Sequence, residues 1–169
     1  MFTCAGRKLP TPPPTAGSID VVAELSIRVA TGADDPDRLF DLLWTLAPDD
    51  DRPEPDRLMS AWREIVAQAG RRVFLAERGA DLVGAVDTVV VPNLTRGARP
   101  FMLVENVVVR QADRRGGVGS ALFEAASAWA HERGCYKIQL LSNSRRADAH
   151  HFYERHGFAA TAKGYRRYL

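Results

Sequence analysis

Three glycines and three arginines crowd together where a run of valines gives way to an apolar, alanine-rich stretch: VVVRQADRRGGVGSALFEAA, Val107 to Ala126. Gly116, Gly117 and Gly119 remove side chains from the turn, so backbone N–H groups can approach a ligand closely. The first N–H groups of a helix have no partner inside it. They carry partial positive charge and favour phosphate oxygens. Arg110, Arg114 and Arg115 add full charges beside them. The chemistry this arrangement supports is the gripping of a diphosphate.

Two familiar phosphate loops are excluded. No Gly-Lys-Ser/Thr follows, so this is not a Walker loop, and G-x-G-x-x-G is absent, which excludes the dinucleotide fingerprint. On local grounds, a tight turn with solvated arginines explains the same residues equally well. Other reactive residues form no constellation. His150 and His151 are neighbours, but adjacent residues on a helix point about 100° apart. One core and one surface histidine is therefore expected, and no metal site. Cys4 and Cys135 make no spaced pair and read as free thiols of a cytoplasmic protein, with Cys135 a small buried residue.

The glycine turn needs a strand before it and a helix after it, and the pattern supplies both. FMLVENVVV reads as the strand. Val118, Leu122, Ala125, Ala126 and Trp129 make the apolar stripe of the helix. Upstream, LSIRVAT alternates as a strand from Leu25. Asp34, Asp35 and Pro36 start a helix whose stripe is Leu39, Leu42, Leu43 and Leu46. A second helix from about Arg57 carries Leu58, Trp62, Ile65, Val66 and Ala69, and Gly70 stops it. RRVFLAE and LVGAVDTVVV flank the turn RGAD and predict a hairpin. YKIQLLS is a strand, and Ala149, Phe152, Tyr153 and His156 mark a short helix ended by Gly157. FAATAK and YRRYL are expected to close the sheet. The sum is one mixed α/β domain around a single sheet, over residues 25–169.

Length and composition agree with that. The chain has 169 residues, 46% of them hydrophobic, enough for one core. The net charge is only +2 and the basic residues are scattered, so neither nucleic acid nor an anionic membrane is an expected partner. No apolar run approaches the roughly 20 residues of a spanning helix. Residues 1–24, with Pro10, Pro12, Pro13 and Pro14, read as a flexible polyproline-like tail.

Read together with its surroundings, the turn resembles a known signature. Arg114-Arg115-Gly116-Gly117-Val118-Gly119 is similar to the R/Q-x-x-G-x-G/A motif of the GNAT acetyltransferases. VENVVV resembles that family's donor-lining strand. LLSNSRRADAHHFYERHGF resembles its second half-signature, a strand ending in Ser-Asn followed by Ala-x-x-Phe-Tyr-x-x-x-Gly-Phe. The resemblance implies a GNAT fold, with central parallel strands 101–109 and 136–142 splayed apart and about four flanking helices. It implies acetyl-CoA as cosubstrate, with its pantetheine arm pairing in the gap to the backbone of Val107 and Val109. The diphosphate is then expected on the amides from Arg114 to Ser120, with Val118 inside that span. Dimers are frequent in the family, but no residue here identifies an interface.

Acetyl transfer from a thioester needs a neutral amine, donors for the carbonyl oxygen, a stabilised leaving thiolate and close positioning. By resemblance, Glu105 is the base or water relay for the amine. As a strand residue it is expected to share a face with Val107 and Val109. Tyr153 matches the motif phenol that points at the sulfur. A thiol titrates near about 8.5 and a phenol near about 10, so full proton transfer from Tyr153 to the thiolate is uphill by roughly 2 kcal/mol. Hydrogen bonding to the developing thiolate is the expected role. The N–H of Val107 or Val108 is the implied oxyanion donor. Asn143 either bonds the pantetheine amides or caps the following helix.

The acceptor side gives conflicting cues. LAPDDDRPEPD is an acidic rim suited to a cation, or a solvated helix connection. PNLTRGARP offers Arg96 and Arg99 to a carboxylate or phosphonate. The expected function is acetylation of a small-molecule primary amine by direct attack in a ternary complex. The alternatives are a protein or peptide N-acetyltransferase and a non-catalytic acyl-CoA sensor.

Overall fold

The computed structural model describes residues 24–46 and 51–169. The expected proline-rich tail and part of the acidic rim, Asp49 and Asp50 included, lie outside the described residues. The elements are β1 (Leu25–Val29), α1 (Pro36–Trp44), α2 (Pro55–Ala67), β2 (Arg71–Arg78), β3 (Asp81–Val91), β4 (Phe101–Val109), a 3-10 turn (Gln111–Asp113), α3 (Val118–Glu132), β5 (Ile138–Leu140) and α4 (Ala147–Arg155).

Local chemistry sets these boundaries. Asp35 caps α1 by accepting from the Asp37 amide at 2.9 Å, and Pro36 occupies the first turn, where its missing N–H costs nothing. Gly79, at φ 61°, makes the tight β2–β3 turn, and the hairpin register runs from Arg78↔Asp81 to Arg71↔Val89.

The sheet order is β1-β2-β3-β4-β5, antiparallel as far as β4, with β5 parallel to β4. Each face of the sheet has its own apolar layer. On one, α3 and α4 cover Phe74, Ala76, Val83, Val86, Met102 and Val104. On the other, α1 and α2 cover Val73, Leu75, Ala85 and Val108 with Leu39, Leu42 and Trp62. The strand alternation of β2 and β3 feeds both layers, which is why these two strands are apolar almost throughout. Gly84 lets α3 sit down on β3: a Cβ there would stand 2.9 Å from Val118 Cγ1 and 3.1 Å from Leu122 Cδ1. Leu122 and Val118 are fully buried beneath it.

Two expectations about strands fail. The sheet is not closed by FAATAK or YRRYL: residues 158–169 form no strand, and Tyr165 and Tyr168 stand exposed. Their short apolar alternation is interrupted by Lys163 and Gly164 and then by two arginines, leaving too little apolar surface for a strand to bury. β5 is also shorter than its sequence pattern, ending at Leu140 instead of 142.

Candidate active site

The site grows out of a mismatch between β4 and β5. Their parallel pairing covers only Met102↔Ile138, Leu103↔Gln139 and Val104↔Leu140. β4 runs on to Val109 without β5 beside it, so the two strands part and a gap opens along the second half of β4.

A bulge sits where they part. Asp87 pairs with Glu105 and Ala85 with Val108, so Asn106 and Val107 together face the single residue Val86. Asn106 takes φ 52°, the left-handed region that Asn tolerates better than most residues. The extra residue shifts the two-residue alternation by one. Met102 and Val104 point to the α3 layer before the bulge, Val107 and Val109 after it, and Val108 turns to the α1/α2 layer. Glu105 therefore does not share a face with Val107 and Val109. It lies exposed on the α1/α2 side, opposite Asp87. The backbone is sorted as well. The Arg110 amide donates to Val83 O at 2.8 Å, so by alternation Val108 turns its backbone toward β3 while Val107 and Val109 direct theirs into the gap. Arg114 Nε donates to Val109 O at 3.2 Å.

At the far end of the gap is the mouth of α3. Gly117 caps it at φ 82°, and the first helical bond is Ala121 N–H to Gly117 O at 3.0 Å. The amides of Gly117, Val118, Gly119 and Ser120 have no acceptor among the described residues. The span expected from Arg114 is shorter than the sequence implied. The Arg114 amide donates to Gln111 O and the Gly116 amide to Asp113 O, both at 3.3 Å, because the 3-10 turn uses them. The arginines divide their work. Arg110 is committed to Asp113 at 2.5 Å and Asp81 at 3.0 Å. Arg115, at φ 63°, makes no ion pair among the described residues. A cation that the sequence did not mark also stands here: Arg78 of β2 brings Nη2 within 3.8 Å of where a Gly116 Cβ would be, with Asp113 at 3.5 Å from its Nε.

The glycines differ in what they do. A Cβ at Gly117 would meet nothing within 4 Å, so that position is open and owes its glycine to backbone conformation. A Cβ at Gly119 would press on the Phe152 ring at 3.1 Å, so that position owes its glycine to the packing of α4 on α3. His156, a helix residue by its spacing in the sequence, completes this junction. Its Nδ1 lies 2.8 Å from Phe152 O, which can only accept, so Nδ1 carries the proton. In the neutral ring Nε2, 3.0 Å from Ser120 Oγ, then accepts, and the Ser120 hydroxyl donates away from the mouth into α4. Ser120 offers the mouth its amide.

Tyr153 of α4 is 9% exposed and packed among Phe123, Phe152 and Phe158. Its hydroxyl has no hydrogen-bond partner among the described residues. Burial pushes the phenol above its ordinary value; Arg146 opposes this and the Glu105 carboxylate adds to it. Asn143 is occupied locally: its Oδ1 accepts from the Arg145 amide at 3.0 Å, and its carbonyl meets the Arg146 amide and His150 Nε2, each at 3.0 Å. The N-cap of α4 is Arg146, so Asn143 closes the turn before that helix and does not cap it. His151 is exposed beside Glu154. Arg99 is spent on Gly134 O and Cys135 O at the far end of α3, so it does not reach the gap. Among the described residues, no group of three or more His, Cys, Asp or Glu side chains is placed to hold a metal. No described helix is long and apolar enough to cross a membrane.

A gap with an unpaired strand edge, ending at four open amides with cations around them, fits an extended acyl carrier with a phosphorylated end. The comparisons with known proteins agree. The sequence model of the acetyltransferase (GNAT) family matches residues 37–158. The chain belongs to the GNAT acetyltransferase family. A glucosamine 6-phosphate N-acetyltransferase of Trypanosoma brucei brucei is 34% identical over 89 residues, which span 53% of this chain and 58% of that relative. Among solved structures, a transcriptional regulator of Bacillus halodurans C-125 is 31% identical with a TM-score of 0.81, covering 86% of this chain and 100% of that one. A Trypanosoma brucei acetyltransferase is 27% identical with a TM-score of 0.73, covering 86% and 100%. As a GNAT acetyltransferase, the protein is an acyltransferase that uses acetyl-CoA. Among the described residues, the five-stranded mixed sheet with four α-helices is the GNAT fold.

Proposed function

We propose that this acetyltransferase acetylates the primary amine of a small molecule by direct attack, with acetyl-CoA and acceptor bound together. The donor supplies a thioester carbonyl; the rest is done by the chain. The amides of Gly117 to Ser120, with Arg115 and Arg78 nearby, hold the phosphates. The backbone of Val107 and Val109 pairs with the pantetheine arm in the gap. The Val107 N–H is the open donor beside the bulge and meets the carbonyl oxygen as charge builds on it. The buried, protonated Tyr153 hydroxyl donates to the leaving sulfur. Glu105, exposed on the opposite side, takes the proton of the incoming amine through water.

The observation that carries this reading is the division of β4 at Asn106. It gives one strand two chemically different faces at the same point: an apolar side with a free phenol and a wet side with a carboxylate. Direct transfer needs a donor for the thiolate and an acceptor for the amine proton on opposite sides of the reacting carbon, and the two faces at the bulge support giving these roles to Tyr153 and Glu105. A small-molecule acceptor is supported by relatives acting on glucosamine 6-phosphate, and by aminoglycoside acetyltransferases that share the fold at 19% identity. Release of free thiol from acetyl-CoA across a panel of small amines, with peptide amines as the contrast, tests the proposal. Turnover confined to peptides would overturn it.

A further inference from the structure

His156 closes the C-terminal end of α4 and reaches the first turn of α3. Its half-buried ring lies 4.3 Å from the Phe152 ring and 5.9 Å from that of Phe123, so both helices hold it in place. One nitrogen has the same role in either charge state: Nδ1 lies 2.8 Å from Phe152 O, a group that only accepts. The other nitrogen has two roles. In the neutral ring Nε2 accepts from the Ser120 hydroxyl across 3.0 Å, and that proton is spent. In the charged ring Nε2 carries a proton of its own and donates. Ser120 Oγ then accepts, and the hydroxyl proton has to turn elsewhere.

Position decides where it turns. Ser120 is the third residue of α3, and its amide is among those open at the mouth. A phosphate on these amides is an acceptor within reach of so short a side chain. Without one, the remaining acceptor is a carbonyl of the preceding turn, the weak bond that helix serines make. No carboxylate competes for the ring. Among the described residues His156 makes no ion pair. Glu124, one turn along α3 from Ser120, and Arg155, next to His156 on α4, are exposed and do not bond to it. Glu154 of α4 stands beside His151, and Arg114 and Arg115 lie at the mouth itself.

We infer that His156 links the grip on the donor to a proton: its charged ring turns the Ser120 hydroxyl toward the phosphates, and its neutral ring turns it away. The inference rests on the reading that the α3 mouth holds those phosphates. The link is reciprocal. If charging the ring tightens the grip, filling the mouth draws a proton onto the ring. Affinity therefore rises as pH falls through the titration of the ring, and binding takes up a proton.

The test uses dephospho-coenzyme A, which keeps the diphosphate but lacks the phosphomonoester that itself titrates near about pH 6. Affinity is measured by calorimetry at about pH 5.5 and about pH 7.5, on either side of the usual imidazole range. The parent should bind about tenfold tighter at the lower pH, the size of one hydrogen bond to a charged group. Between the two, heats in buffers of different ionisation enthalpy should show uptake of a fraction of a proton. His156→Gln holds no charge, so it should bind equally at both pH values and take up no proton. Ser120→Ala should match the parent within about twofold at the higher pH and fall behind it at the lower. A parent affinity that does not rise at the lower pH overturns the inference, as does a full rise that survives in either variant. Amide resonances of Gly117 to Ser120 in ¹⁵N-labelled protein tell the two failures apart. If they stay still as the ligand binds, the phosphates lie elsewhere and the link falls with their site. If they move while affinity ignores pH, the link alone falls.

Discussion

Across β4, two kinds of construction meet. At the α3 mouth the working groups are backbone amides bared by Gly117 and Gly119, and the nearest side chains serve to hold the turn: Arg110 to Asp113, Arg114 to Val109 O, His156 to Ser120. Under α1 and α2 the surface is side chains from five separate elements, Trp62 among them. A backbone site depends on conformation and on the absence of atoms, so a few local residues define it. A side-chain site depends on which distant elements meet, so no local run of residues defines it. Variants that leave backbone positions intact should therefore change turnover or acceptor choice. Variants that add a Cβ at the mouth should change the grip on the donor.

The largest effect is expected at the point where the two constructions touch. Tyr153→Phe keeps the ring among Phe123, Phe152 and Phe158 and removes only the hydroxyl proposed to donate to the leaving sulfur. Loss of a donor aimed at developing charge lowers kcat by about 100-fold. Coenzyme A affinity by calorimetry should be unchanged. Because burial holds the phenol above its ordinary value of about 10, it stays protonated through the working range. The pH profile of Tyr153→Phe should therefore run parallel to the parent's up to about pH 10. A parent rate that falls well below that pH, while the variant's does not, would mean that Tyr153 acts in another protonation state.

The two glycines of the mouth should come apart next. Gly119→Ala drives a methyl against Phe152, and Tyr153 follows Phe152 on the same helix. Coenzyme A affinity should fall about tenfold, which is about 1.4 kcal/mol, and kcat should fall with it. Gly117→Ala meets no atom but must hold φ 82°, a strain of about 1 kcal/mol. It should weaken binding a few-fold and leave kcat alone. If both variants moved kcat equally, the distinction drawn between conformation and packing at the mouth would be lost. Ser120→Ala sharpens the point. Its hydroxyl is given to the neutral ring of His156, so at about pH 7.5 the variant should lose about 1 kcal/mol of stability in urea titration while coenzyme A affinity stays within about twofold. A large loss of affinity there would show that the hydroxyl turns to the phosphates without the ring being charged.

How much of this was readable in advance follows the same division. Asp35-Pro36 announced α1, RGAD announced the hairpin, and the glycine run announced the α3 mouth, because caps and tight turns are local chemistry. The bulge at Asn106 was not readable. FMLVENVVV has the alternation of a regular strand, and only the pairing with β3 shows that one residue is extra; that is why Glu105 stands on the face opposite the one its spacing predicts. Arg78 and His156 carry no local signal of their place because each is tied to the mouth through the fold and not through the chain. Trp62 was legible as a core stripe residue, but nothing in its own neighbourhood says that its buried indole N–H lacks a partner among the described residues.

The smallest expected effect tests whether the roof over the acceptor side is held separately from the donor side. Arg28 of β1 binds Glu77 of β2 through Nε at 2.9 Å and Nη2 at 2.7 Å, and Asp34, just before α1, through Nη1 at 3.0 Å and Nη2 at 2.5 Å. Asp34 also accepts from the Thr31 amide at 2.7 Å. The Arg28 guanidinium, by hydrogen bonding first and charge second, holds both carboxyls below their ordinary values. A carboxyl depressed in the folded state stabilises the fold fully above its unfolded value, about 4, and that contribution drains away as pH falls through the folded value. The Arg28 side chain is 39% exposed, so solvent screening limits the contribution to about 1 kcal/mol at neutral pH. Arg28→Met should therefore lower the urea midpoint modestly at pH 7 and progressively less as pH falls below about 4, through the depressed folded values. Coenzyme A affinity should not change, because no contact of Arg28 reaches the α3 mouth. A coenzyme A affinity that fell with the midpoint would mean that the two sides of β4 are mechanically coupled through the sheet, and the comparison drawn here would have to be given up.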